Sequence, residues 1–363
     1  MLTIAIRVDS SHQIGIGHVM RCLTLAQEIN QQTCARIVFI SRESEGSIAA
    51  KIVDEGFEYF ELSSGIDNAS SHLQHGQWLR NSQEKDASEF QAILNYNGIN
   101  GLDLVIVDHY GIDQHWHKLV RQFSSKIFAI DDLGDRYLDC EYLLDQTFGC
   151  NPEKYSALVK PDCTLFLGTK YALLRPEFQK VQPAQTNDRT LLLMFGGTDP
   201  DNLTVQALNI VSQMASVNKI IVVMNGTAKH LHAVTEYCLL NKNISLHVSP
   251  KNIAGLMQQA NLAVGAAGTT SWERCAAGLP AVVIIQAINQ REIAFNLSGA
   301  GVISYMEAES VTDDLQHQIE AWFKLLSSDN DIVEKCQKIC DGTGTSKVVK
   351  AMINDRKYYC FSG

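Results

Sequence analysis

The sequence predicts an α/β protein made of two parallel-sheet domains, and three observations carry that prediction. Through the first half, short apolar runs of strand length alternate with helical patterns, the arrangement of a parallel sheet covered by helices. A polar stretch, 176–188, containing Pro176 and Pro183, then breaks the pattern. Beyond it the same grammar of strand, glycine turn and helix begins again. A chain of 363 residues suits about two domains of ordinary size. The expected division is a first domain at 1–178, a linker at 179–189, a second domain at 190–345 and a C-terminal tail at 346–363.

The first element is Leu2-Thr-Ile-Ala-Ile6, an apolar run suited to a buried strand. It leads into Arg7-Val-Asp-Ser-Ser-His-Gln-Ile-Gly-Ile-Gly-His-Val-Met-Arg21, and Val19, Cys22, Leu23, Ala26 and Ile29 then share one helical stripe. A strand therefore enters a Gly-x-Gly turn and a helix follows at once. Such a turn lets a ligand approach the backbone closely, and a helix start favours anions. Asp9 ends the strand and His18 begins the helix, so a titratable imidazole stands beside an anion-friendly turn. Two readings of His18 fit this spacing: a catalytic residue, or a residue that simply starts the helix. A nicotinamide-cofactor motif does not fit. Its third glycine position holds Met20, and the second strand, Ile37–Ile40, ends in Ser41-Arg42 rather than an acid.

Further strands are expected at 36–40, 59–62, 102–107 and 126–130, and helices at 47–55 and 86–95. Between them, 63–84 is a polar loop with His72, His75 and Trp78, long enough to suggest function or mobility rather than structure. Parallel sheets bind ligands beyond the carboxyl ends of their strands. Asp9, Asp108, His109, Tyr110, Asp131 and Asp132 all fall at such ends.

The second series opens with the strand Thr190–Phe195, the turn Gly196-Gly197-Thr198, and Asp199-Pro200 as a helix start with Pro at the first helical position. Strands follow at 219–224, 244–248, 262–264 and 281–285, with helices at 253–260, up to 277, 319–326 and 332–339. The Gly196–Gly197 turn and Gly265-Ala-Ala-Gly-Thr-Thr-Ser271 can each present backbone N–H groups to phosphate oxygens, or can simply allow tight packing. Two such turns in one domain suit a diphosphate. Glu273 fits a capping box with Thr270, and equally a carboxylate that accepts both hydroxyls of a ribose. Asn289 and Gln290 follow a buried strand, where they can bind sugar or phosphate or form a turn.

Composition narrows the classes. With 45% hydrophobic and 19% charged residues the chain is ordinary globular, and its net charge of −10, without a basic run, argues against nucleic acid. No apolar run reaches membrane-spanning length, and the opening residues read as strand rather than signal peptide. The ten cysteines are scattered without a C-x-x-C pair, and several lie in apolar helical patterns, as reduced thiols do. The expectation is a cytoplasmic monomer. His115-x-His117 and His230-x-His232 are wrongly spaced for a helix face, and there is no H-E-x-x-H, so no metal and no cofactor is expected.

Taken together, Arg7-Val-Asp-Ser-Ser, Ile14-Gly-Ile-Gly-His-Val-Met-Arg-Cys-Leu23, Val107-Asp-His-Tyr-Gly-Ile-Asp113, Ile130-Asp-Asp-Leu-Gly-Asp-Arg136, Leu144-Asp-Gln146, Tyr171-Ala-Leu-Leu-Arg-Pro-Glu-Phe178 and Met194-Phe-Gly-Gly-Thr-Asp-Pro200 resemble the PseG family of UDP-sugar hydrolases in pseudaminic acid biosynthesis. That family is similar to the glycosyltransferase MurG. The resemblance implies two Rossmann-like domains facing across a cleft, the GT-B fold, with UDP in the second. It implies metal-free hydrolysis of UDP-2,4-diacetamido-2,4,6-trideoxy-β-L-altropyranose to UDP and the free sugar, with cleavage of the C1–O bond. The family's catalytic histidine falls on His18 and its aromatic pocket residue on Tyr110. Asp9, Gly17, Asp108, Tyr110 and Asn289 are then expected near the sugar. Gly196, Gly197, Gly268, Thr269, Thr270, Ser271, Glu273, Gln286 and Gln290 are expected on UDP. In that setting His18 is the base that takes a proton from water attacking C1 with inversion. The second-domain turns stabilise charge on the departing diphosphate. The remaining readings are a glycosyltransferase of the same fold and a non-catalytic nucleotide-sugar-binding protein.

Overall fold

Each half of the chain builds its own parallel sheet. In the computed structural model, residues 1–65, 71–179, 181–182, 188–196, 199–288, 290–329 and 331–354 are described. The chain forms two compact units, Met1–Leu173 joined by the segment from Gly344, and Leu174–Thr343.

The first unit contains β1 (Leu2–Val8), α1 (Gly17–Gln32), β2 (Ala35–Arg42), α2 (Ala49–Asp54), β3 (Glu58–Leu62), α3 (Gln83–Tyr96), β4 (Leu104–Asp108), α4 (Gln114–Val120), β5 (Ile127–Ile130), β6 (Tyr142–Asp145) and β7 (Thr164–Leu167). Its seven strands lie in the order β3-β2-β1-β4-β5-β6-β7. Successive residues of β1 feed opposite faces, as a strand's period of two requires. Ile4, Ile6 and Val8 pack with the α1 stripe, whereas Ala5 packs with Phe90 and Leu94 of α3 and Trp116 of α4. Both faces are covered, which is why these strands read as continuous apolar runs. The order reverses between β1 and β4, so the loops that leave these two neighbours diverge and open a crevice at their carboxyl ends.

The second unit contains β8 (Thr190–Met194), α5 (Leu203–Val211), β9 (Lys219–Met224), α6 (Leu231–Leu240), β10 (Ile244–Val248), α7 (Ile253–Met257), β11 (Leu262–Ala266), α8 (Thr270–Ala276), β12 (Ala281–Ile285), α9 (Gln290–Gly299), β13 (Ile303–Glu307), α10 (Val311–Leu326) and α11 (Ile332–Ile339). Its strand order is β10-β9-β8-β11-β12-β13, and the reversal lies between β8 and β11. Both glycine turns singled out in the sequence leave these two central strands.

The structure differs from the sequence reading in several places. Residues 344–354 are not a detached tail but the helix α12 (Gly344–Asn354), whose Val348, Val349 and Met352 pack into the first unit's core beside α1. The division falls at Leu173/Leu174 rather than at 178. Pro200 is not the first residue of a helix, because α5 begins at Leu203. Asp199 caps it instead, accepting from the N–H groups of Leu203 (2.9 Å) and Thr204 (3.0 Å). Strands β6, β7 and β13 and helices α4, α6, α9 and α12 were not expected. Within the polar 63–84 loop, residues 66–70 lie outside the described residues, and Gly76–Leu79 forms a 3₁₀ turn that seats Leu79 in the core.

Candidate active site

Gly15 has φ +80°, the left-handed conformation that the turn after β1 needs and that glycine alone adopts cheaply. Its N–H bonds to the Ser11 carbonyl (2.8 Å), while the Ser11 hydroxyl accepts from Ile14 (2.9 Å). The loop therefore closes on itself and delivers the chain to α1. Gly17 is exposed at the first position of that helix, and His18 follows on its first turn.

His18 does not stand alone. Its Nδ1 lies 2.6 Å from Oδ1 of Asp108, the last residue of β4, so the crevice between β1 and β4 assembles a histidine–carboxylate dyad. An ionised carboxylate accepts only, which places the proton on Nδ1 and leaves Nε2 as the basic atom. Among the described residues Nε2 has no hydrogen-bond partner, and the side chain is 11% exposed. Arg21, one helical turn after His18, closes on the same carboxylate through Nε to Oδ2 (2.6 Å) and Nη2 to Oδ1 (2.7 Å). Burial pushes the Asp108 carboxyl up, but Arg21 and His18 outweigh it and hold it well below the usual carboxylate range. Arg21 also reaches Asp132 (3.3 Å), which accepts the Tyr110 hydroxyl. The sequence indicated the strand ends but not this role for Arg21. Its signal was the spacing His18-x-x-Arg21, which puts both side chains on one helix face.

Asp9 and Asp108, expected beside a sugar, are instead consumed inside the protein. Asp9 accepts from Arg7 (2.5 and 3.0 Å) and from the Arg42 N–H (2.7 Å), and its carboxyl sits within 3.2 Å of His109 Nε2. Arg7 and Arg42 also share Asp86 at 2.7 and 2.8 Å. With the side chains of Asp9 and Asp108 at 3% and 0% exposure, both carboxylates are spent on positioning their neighbours. A buried charge demands such partners.

Tyr110 stands edge-on to His18 with ring centroids 4.8 Å apart. His75 and Trp78, from the polar loop, lie against the same tyrosine at 5.6 Å each, and both are half-buried. An apolar aromatic wall therefore adjoins the dyad. A separate cavity of about 490 Å³ is lined by His72, Glu84, Asp113, His115 and Lys118 among others. Each of its histidines is held by a carboxylate, His72 by Asp113 (3.1 Å) and His115 by Glu84 (2.6 Å). Among the described residues no group of three or more His, Cys, Asp or Glu is arranged to hold a metal ion. None of the nine described cysteines is in a disulfide.

In the second unit, Gly196 follows β8 with φ +86°, while Gly197 lies outside the described residues, as does Asn289. Gly268, Thr269 and Thr270 are half-buried after β11. Ser271 is only 1% exposed and its hydroxyl accepts from Arg274 (3.0 Å), so it braces the turn from within rather than facing a ligand. Glu273 is not a capping residue: Thr269 caps α8 without a side-chain bond, and the Glu273 carboxylate pairs with Arg175 Nη2 at 3.2 Å. Burial raises the Glu273 carboxyl against the pull of Arg175. The Gln290 side chain folds back to accept the Gln286 N–H (3.0 Å), which closes the loop after β12.

With this geometry in place, comparisons with known proteins agree on the architecture. Residues 191–337 match the glycosyltransferase family 28 C-terminal domain. Over 262 residues the chain is 28% identical to the UDP-2,4-diacetamido-2,4,6-trideoxy-beta-L-altropyranose hydrolase of Campylobacter jejuni, covering 72% of this chain and 83% of that one. It is 27% identical over 304 residues to the uncharacterized protein MJ1062 of Methanocaldococcus jannaschii, covering 80% of this chain but spanning only 57% of the archaeal protein. The crystal structure of Acinetobacter baumannii MurG superposes with a TM-score of 0.61 at 14% identity, covering 98% of this chain and all (100%) of that one. The fold is GT-B. The sequence similarity supports a PseG-like protein. No described helix is long and apolar enough to cross a membrane.

Proposed function

We propose that the chain hydrolyses a UDP-sugar, with UDP-2,4-diacetamido-2,4,6-trideoxy-β-L-altropyranose as the substrate. The observation that carries this reading is the dyad: His18 Nδ1 is 2.6 Å from a buried Asp108 carboxylate, and Nε2 is left to accept a proton. In this mechanism a water molecule attacks C1 of the sugar while Nε2 takes one of its protons. The C1–O bond breaks, and its electron pair leaves on the β-phosphate oxygen of UDP. The anomeric configuration inverts. Asp108 fixes the tautomer and stabilises the imidazolium that forms, as carboxylates do in catalytic triads. Tyr110, with Trp78 and His75, offers an aromatic face for the sugar's apolar side. The second unit binds UDP, with Gly196, Gly197 and Gly268–Thr270 near the diphosphate and Glu273 on the ribose. The similarity to the Campylobacter hydrolase supports the substrate.

The test is incubation of the pure protein with the UDP-sugar in ¹⁸O-water. Release of UDP and of free sugar carrying the label at C1 is expected. Label in UDP would move the cleavage to the P–O bond. The family 28 match favours one second reading, a glycosyltransferase in which an acceptor hydroxyl replaces water. UDP release that requires an added acceptor would select it.

A further inference from the structure

Arg274 on α8 is 2% exposed, yet no carboxylate among the described residues lies within ion-pair reach of it. Its Nη2 donates to the Ala266 carbonyl (3.0 Å) and to the Ser271 hydroxyl (3.0 Å), while Nη1 is buried without a partner. The nearest carboxylate in sequence, Glu273, is held by Arg175 at 3.2 Å. The other titratable groups facing the guanidinium are the thiols of Cys275 and Cys336. Burial pushes Arg274 down to about 10, so it is still charged at neutral pH. Gly265 is part of the arrangement. A Cβ there would stand 2.1 Å from the Met194 carbonyl oxygen, so the close passage of β11 beside β8 requires glycine, and it would also come within 3.1 Å of Nη1.

An unpaired buried charge is strongly destabilising, and a fold retains one most readily where something else supplies the opposite charge. The segment braced by this cation runs from Ala266, the last residue of the central strand β11, to Ser271 on the first turn of α8, with Gly268, Thr269 and Thr270 half-buried between them. We infer that Arg274 is the counter-charge for the diphosphate of a nucleoside diphosphate bound at that turn, a positioning residue that acts through Ala266 and Ser271 and through its field. This inference rests on the reading that the second unit binds UDP. It explains how a turn without surface lysines or arginines would prefer a doubly charged ligand to a neutral nucleoside.

The test compares the full-length wild type with Arg274→Gln, which keeps a donor but loses the charge, and Arg274→Lys, which keeps the charge. UDP, uridine and inorganic pyrophosphate are titrated by calorimetry, and the melting temperature of each ligand-free protein is measured. Arg274→Gln is expected to bind UDP about 10- to 100-fold more weakly, the range for a lost charged interaction. Uridine affinity should stay close to wild type, the ligand-free melting temperature should not fall because an unpaired buried charge is removed, and Arg274→Lys should keep most of the UDP affinity. An unchanged UDP-to-uridine ratio in Arg274→Gln, or an equal loss for both ligands, would overturn the inference. If Arg274→Gln does not fold, the Lys variant decides, because a purely structural role predicts that it too loses both ligands. If the wild type binds no UDP, the functional reading fails and pyrophosphate decides. Thermal stabilisation by pyrophosphate in wild type but not in Arg274→Gln upholds the inference, and its absence in both removes it.

Discussion

Asp108→Asn separates orientation of His18 from simple helix packing. The change keeps the side chain's size but removes the acceptor that fixes the His18 tautomer at 2.6 Å. An amide can turn its NH₂ toward Nδ1, which then becomes the acceptor and puts the proton on Nε2, where the mechanism needs a lone pair. The equivalent change in a catalytic triad costs about 10⁴ in kcat. Here Arg21 still stands 3.2 Å from Nδ1 and disfavours a proton there, which reinforces the wrong tautomer, so a loss toward the upper end of the general-base range of about 10²–10⁴ is expected. Stability falls as well. Arg21 is 4% exposed and would keep only Asp132, at 3.3 Å, as a charged partner. Stranding a buried charge costs about 3–5 kcal/mol, and Asp132 sets the expectation at the lower end. The pH dependence has a definite sign. The Asp108 carboxyl is held low in the folded protein, so its contribution is complete above the ordinary carboxylate range and is lost as pH falls through the folded-state value. Urea melts should therefore show a gap between wild type and variant at neutral pH that narrows in acid. UDP release gives kcat. An Asp108→Asn protein with wild-type kcat, or with a stability gap that widens in acid, would refute the dyad.

Two further outcomes follow from the site. EDTA should leave UDP release unchanged, because no described cluster of side chains is arranged for a metal ion; loss of turnover restored by a divalent cation would contradict this. Glu273→Ala should weaken UDP by about 10- to 100-fold through the lost charged hydrogen bonds, and should abolish any preference for UDP over 2′-deoxy-UDP. Equal losses for both nucleotides would return Glu273 to a structural role beside Arg175.

Much of this architecture was legible because burial writes itself into sequence. β1, β4 and β5 lie between two layers of helices and read as unbroken apolar runs, and the α1 stripe packs as its spacing requires. The strand ends singled out in the sequence converge on one crevice, since β1 and β4 flank the reversal of strand order and bring His18, Asp108 and Tyr110 together. What failed was local. β6 and β7 are as short as β5, but Asp145 and Thr164 interrupt their apolar runs, whereas β5 is apolar throughout. α12 has a sound apolar face, but nothing in its sequence says that it crosses back to α1. The carboxylates of Asp9 and Asp108 were read as ligand groups because charge at a strand end looks the same in sequence whether or not an arginine from elsewhere neutralises it. Arg7 and Arg42 reveal their partner Asp86 only in three dimensions. Thr270-Ser-Trp-Glu273 matched a capping pattern, yet Arg175, 98 residues earlier, holds the glutamate.

The central claim is that His18 is the base, and one variant tests it most directly. His18→Asn keeps hydrogen bonding to Asp108 and similar bulk but cannot take up a proton at the Nε2 position. Removing a general base costs about 10²–10⁴-fold in rate, and a group that acts only in the transition state leaves ground-state binding alone. Measured on the same preparation, kcat should fall in that range while UDP affinity and melting temperature stay near wild type, and the acid limb of the pH–rate profile should vanish. A His18→Asn protein with ordinary kcat, or one whose rate, affinity and stability fall together, would contradict the account and leave His18 as a residue that merely starts α1.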